Sequence, residues 1–265
     1  MTGSEISIDC SGVELKGVLA VPETAVGLVI FSHGSGSSRF SPRNRYVSGI
    51  LNHSGVATLL VDLLTPAEEE IDDNRFNIPL LTDRLIAVTD YFESAKHYRF
   101  TQIGYFGAST GAASALEASA IKRERITAIV SRGGRPDLAY EILDKVVSPV
   151  LLIVGSLDEQ VIVLNQRAYD SLKCVKSLEI VKGASHLFEE PGTLDRVAEL
   201  ACQWFLLYFN KKATASRSKG APSEDLASQP KPKVNVKFES VSVNKSPLTR
   251  EIDIKYPLNA WFDRF

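Results

Sequence analysis

The chain has 265 residues, 44% of them hydrophobic, and a formal net charge of −2 at pH 7. This balance offers no basic face to neutralise phosphates, which argues against nucleic acid as a partner, and no apolar run reaches the roughly 18–20 residues that span a bilayer. The N-terminus lacks the basic-then-apolar layout of a secretion signal, and Cys10, Cys174 and Cys202 make neither a disulfide framework nor a metal cluster; a cytoplasmic protein with no metal or other cofactor is expected.

In chain order, apolar runs predict strands at 5–9, 13–21, 27–32, 56–61, 102–106, 128–131, 150–154 and 177–181. Helical patterns fill 42–54, 77–97, 109–121, 136–144, 161–172 and 193–209. Strands alternating with helices require an α/β fold with a mostly parallel, eight-stranded, doubly wound sheet, and residues 1–210 suffice for one such domain. The segment from Ser131 to Pro149 holds one helix and no large lid, so the site is expected to be open and suited to small soluble substrates. The polar stretch 67–74 reads as a solvated loop.

The chemistry begins after the third strand, at His33-Gly34-Ser35-Gly36-Ser37-Ser38. Its glycines let the backbone approach a substrate, and the N–H of Gly34 or Ser35 is a candidate oxyanion donor; sequence does not choose between them. His33 reads as a structural hydrogen-bonding residue more readily than as a base. After the fifth strand comes Gly107-Ala108-Ser109-Thr110-Gly111, which predicts a strand, a sharp turn and a helix with Ser109 at the apex and the Thr110 N–H beside it. The flanking glycines suit a strained turn whose helix must pack close to its strand. Arg132 and Arg135 bracket two glycines at the end of the sixth strand, where each is open to two readings: partner of a substrate carboxylate, or half of a structural ion pair. Arg43 and Arg45 share that ambiguity, while Asp62 reads as structural.

A serine hydroxyl is a weak nucleophile and needs an imidazole to take its proton and a carboxylate to orient the imidazole. Asp158 follows the seventh strand, with Glu159 as the lesser alternative, and His186 follows the eighth. Ser, then Asp, then His is the chain order of α/β-hydrolases, unlike the orders of the chymotrypsin and subtilisin types. Beyond Asn210 the composition changes. Residues 211–233 read as a flexible linker, and 234–265, which ends in an aromatic cluster around Trp261, reads as a docking segment for its own domain, another copy or a protein partner.

With those residues in place, the chain resembles the dienelactone-hydrolase-like branch of the α/β-hydrolase superfamily, and within it bacterial serine hydrolases fused or adjacent to phosphoribosyltransferases. The likeness is carried by residues 33–38, by Ser41-Pro42-Arg43-Asn44-Arg45, Asp62-Leu63-Leu64-Thr65, Ser131-Arg132-Gly133-Gly134-Arg135-Pro136-Asp137 and Ser185-His186-Leu187-Phe188-Glu189-Glu190-Pro191-Gly192. It implies a Ser109, Asp158, His186 triad. Authentic dienelactone hydrolases use a cysteine where this chain has Ser109, so lactone specificity does not follow. The expectation is a serine hydrolase acting on a carboxylic ester or thioester through an acyl-enzyme, the same groups also serving acyl transfer. The reading from another class is a non-catalytic binding protein that keeps the fold while its tail recruits a partner; an intact triad favours the enzyme.

Overall fold

The computed structural model describes residues 3–218 except 11, 96, 97 and 99. The eight expected strands are present: β1 Ser4–Cys10, β2 Val13–Ala20, β3 Leu28–Ser32, β4 Ala57–Val61, β5 Ile103–Ala108, β6 Ile126–Arg132, β7 Val150–Gly155 and β8 Lys176–Val181. They form one sheet in the order β1-β2-β4-β3-β5-β6-β7-β8. β2 runs antiparallel to both of its neighbours, and every pairing from β4 to β8 is parallel. This is the α/β-hydrolase architecture.

The helices are α1 Pro42–His53, α2 Pro66–Glu69, α3 Ile78–Ser94, α4 Thr110–Lys122, α5 Glu159–Ser171 and α6 Thr193–Ser218. The central strands are buried on both faces, so they read as continuous apolar runs, yet their side chains still alternate. In β3, Leu28 and Ile30 join the cluster that receives Leu85 of α3 and Leu116 of α4, while Val29 and Phe31 join the one that receives Leu51 of α1 and Phe205 of α6. On α6 the buried Val197, Ala201, Phe205 and Phe209 recur every four residues, one stripe facing the sheet. Each such large apolar side chain contributes about 1.5–3 kcal/mol by leaving water.

Three expectations change. The segment Pro136–Lys145 is a 3-10 helix broken at Ala139 (φ −129°), in place of an α-helix. The polar stretch expected to be a loop contains α2, closed by a capping box in which Thr65 and Glu68 each bond the other's backbone N–H. α6 runs to Ser218, past the boundary drawn after Asn210, because Lys211-Lys212-Ala213 continues a helix more readily than it starts a linker. The docking segment 234–265 lies outside the described residues, as does most of the linker. No helix among the described residues is long and apolar enough to cross a membrane.

Candidate active site

Parallel strands deliver their following loops to one edge of the sheet, and three neighbours, β5, β6 and β7, present theirs side by side. Ser109, directly after β5, has φ 49° and ψ −121°, a conformation that costs a non-glycine residue of order 1–3 kcal/mol. The surroundings hold it there. Its N–H donates to the Arg132 carbonyl (3.2 Å), and its own carbonyl accepts from the N–H groups of Ala112 (3.1 Å) and Arg135 (3.0 Å). Side chains are absent where α4 crosses back over β5: a Cβ on Gly107 would lie 2.5 Å from Ala112 Cα, and one on Gly111 would lie 2.5 Å from the His33 carbonyl oxygen. Ser109 itself is part-exposed.

Asp158 stands between β7 and α5, and His186 lies past β8. His186 Nδ1 is 2.6 Å from Asp158 Oδ2, with both side chains 10% exposed. Their loops are tied together by the Leu157 N–H, which donates to the Ala184 carbonyl (2.9 Å). The Ser185 N–H donates to the Glu190 carboxylate (3.0 Å), a bond that holds Glu190 below the usual carboxylate range. Glu159 is exposed and begins α5, so the acid that meets the imidazole is Asp158.

The β6 loop joins the two halves. Gly133, at φ +52°, turns so close to His186 that a Cβ there would sit 3.5 Å from the imidazole Nδ1 and Cε1. The flanking backbone is what holds Ser109: the Arg132 carbonyl accepts from its N–H, and the Arg135 N–H donates to its carbonyl. Asn165 of α5 fastens this loop by donating from Nδ2 to the Gly134 carbonyl (2.9 Å).

The 33–38 loop closes over the elbow. A Cβ on Gly34 would lie 3.1 Å from Ser109 Cβ. The Ser35 N–H donates to Thr110 Oγ1 (2.9 Å), whereas no acceptor among the described residues meets the N–H of Gly34 or of Thr110. Ser35, expected to offer a free amide, thus has that hydrogen engaged. His33 turns Nδ1 toward the Gly34 carbonyl at 2.9 Å, in keeping with a structural role, and Asp62 pairs with Arg39.

The two arginines of the β6 loop differ. Arg135 binds Asp137 through two parallel bonds (Nε to Oδ1, 2.8 Å; Nη2 to Oδ2, 2.7 Å), which realises the structural alternative and spends that face of the guanidinium. Arg132 is 6% exposed and has no carboxylate partner among the described residues. It donates to Asn44 Oδ1 (3.2 Å), its Nε is buried without an acceptor, and its Cζ lies 6.0 Å from the Phe188 ring centroid. Burial, and then the nearby Arg43 cation, push its pKa down to about 10. Sequence reasoning missed Asn165 and the Thr110 hydroxyl as parts of this site; Asn165 had no local signal, being a lone polar residue in an apolar helix face.

Fold and site geometry together define an α/β-hydrolase. No family model matches the chain. A dienelactone hydrolase from Anabaena variabilis is 50% identical, with a TM-score of 0.76, over 78% of this chain and 99% of that one. The chain belongs to the dienelactone-hydrolase family. Est1E from Butyrivibrio proteoclasticus, at 21% identity and a TM-score of 0.68, shares the fold. Two Mycobacterium tuberculosis proteins described as phosphoribosyl transferases are 53% identical over 202 residues, 76% of this chain and 46% of theirs, so this chain matches about half the length of those curated relatives.

Proposed function

We propose that the protein is a serine hydrolase of carboxylic esters. The observation that carries this reading is the 2.6 Å contact between His186 Nδ1 and Asp158 Oδ2, and a serine held at positive φ between β5 and α4 supports it. Asp158 fixes the imidazole with Nδ1 protonated, leaving Nε2 to accept a proton. Ser109 Oγ attacks the acyl carbon as His186 takes the hydroxyl proton, and the carbonyl oxygen becomes an oxyanion held by the N–H groups of Thr110 and Gly34. The tetrahedral intermediate collapses, the alkoxide leaves with the proton from His186, and an acyl group remains on Ser109. Water, deprotonated by His186, then releases the acid and restores the serine. Thioesters fit the same steps.

The match to the phosphoribosyl transferases does not extend their named activity to this chain. The part of the chain they match is of a length with a complete dienelactone hydrolase chain, which supports reading it as a hydrolase half.

A fluorophosphonate probe tests the assignment without requiring the natural substrate. The full chain should be labelled stoichiometrically, and Ser109→Ala should abolish labelling and lower ester turnover by about 10⁴–10⁶. Undiminished turnover of p-nitrophenyl acetate by purified Ser109→Ala would overturn it.

A further inference from the structure

The peptide unit that joins Gly34 to Ser35 is held from both sides. Its carbonyl accepts from the Ser37 N–H (3.2 Å) and faces His33 Nδ1 (2.9 Å). Its N–H, that of Ser35, donates to Thr110 Oγ1 (2.9 Å), a side chain 75 positions away in sequence and 1% exposed. Thr110 is the first residue of α4 and adjoins Ser109. A helical Cβ leans toward the helix N-terminus, which aims this hydroxyl at the loop. Without the hydroxyl the Ser35 N–H loses this acceptor, and the peptide plane is held from its carbonyl side only.

We propose that the Thr110 side chain is a positioning residue for hydrolysis: its hydroxyl oxygen fixes the Ser35 amide, and through it the 33–38 loop, at the separation from Ser109 that an oxyanion site requires. The proposal rests on Ser109 being the nucleophile. Thr110 then serves the site twice, its backbone N–H facing the oxyanion and its side chain setting the position of the opposite donor. Oxyanion stabilisation depends on donors fixed before charge develops, and a displacement of about 1 Å costs on the order of 10²-fold in rate. The loop acts on the transition state more than on the bound ester, so the effect falls on kcat.

The test compares Thr110→Val, Thr110→Ala and Thr110→Ser with the parent chain. Each is checked for folding by circular dichroism and thermal melting, then assayed for kcat and KM on p-nitrophenyl acetate, for fluorophosphonate labelling rate, and for inhibition by phenylboronic acid, which mimics the tetrahedral state. Valine and alanine should lower kcat and the labelling rate by about 10–100-fold, with KM within about threefold and labelling still complete at long times. Boronate affinity should weaken by the same factor as kcat/KM. Serine, which keeps the hydroxyl, should stay within about threefold of the parent. If valine prevents folding, the alanine variant carries the comparison. Unchanged kcat without the hydroxyl, an effect confined to KM, or a serine variant as impaired as valine would overturn the proposal. Failure of the Ser109 reading looks different: the parent chain itself would resist labelling.

Discussion

Arg132 and Arg135 lie three positions apart, are 6% and 8% exposed, and are predicted to respond very differently to the same substitution. For Arg132, the gap between 12.5 and about 10, at about 1.4 kcal/mol per pH unit, corresponds to about 3 kcal/mol of desolvation and repulsion that methionine would relieve. Against this stand the Asn44 oxygen left without its donor, about 1–3 kcal/mol, and a cation–ring contact worth about 0.5–1 kcal/mol. The terms nearly cancel, so Arg132→Met should unfold within about 1 kcal/mol of the parent. Arg135→Met instead strands the Asp137 carboxylate, 15% exposed, at a cost of about 3–5 kcal/mol. Urea titration of the full-length variants decides. In thermal melts the first should lie within about 4 °C of the parent and the second on the order of 10 °C below it. A loss from Arg132→Met as large as that from Arg135→Met would instead show that the Arg132 charge is compensated by something other than Asn44.

Asp158→Asn should keep the imidazole in place but favour the wrong tautomer, lowering kcat by about 10⁴ while the melting temperature holds; a loss under tenfold would remove Asp158 from the mechanism. Gly111→Ala places a methyl group against the Ser32 and His33 carbonyl oxygens, and should cost more than about 3 kcal/mol or displace the elbow enough to abolish labelling. Burial pushes the Glu93 carboxyl up, but bonds from Arg125 (2.6 Å) and Lys122 (3.0 Å) outweigh it and hold the group below its ordinary 4.5. Because the folded value is the lower one, this stabilisation is present above pH 4.5 and is lost as pH falls through the folded value. Glu93→Gln should therefore flatten the acid limb of stability, read as urea midpoints between about pH 6 and pH 3.

The sheet was legible because strands buried on both faces announce themselves as apolar runs such as Leu28-Val29-Ile30-Phe31, and the elbow because its turn demands small residues at fixed offsets. α2 carried a readable sign, Thr65-Pro66-Ala67-Glu68, which is a capping box with proline at the first helical position; the acidic run after it looked like solvent-facing loop. The 3-10 helix at Pro136–Lys145 was not legible, since an apolar spacing of three and four residues serves either helix type. Nor was the difference between the two arginines. Whether Arg135 reaches a carboxylate two residues away depends on how a loop turns, and the isolation of Arg132 depends on α1, about ninety positions earlier, presenting Asn44 and not an acid. The bond from Ser35 to Thr110 joins segments that sequence spacing leaves unrelated.

Under the mechanism proposed above, turnover and a comfortable backbone make opposite demands at position 109. At φ 49° and ψ −121° glycine is the residue the chain itself would prefer, so the serine persists against a standing thermodynamic preference for its loss. Ser109→Gly should melt above the parent, by about 2–4 °C for each 1 kcal/mol of strain released. Under the proposed mechanism the residue at the elbow therefore sets stability against turnover: glycine favours the first and serine the second.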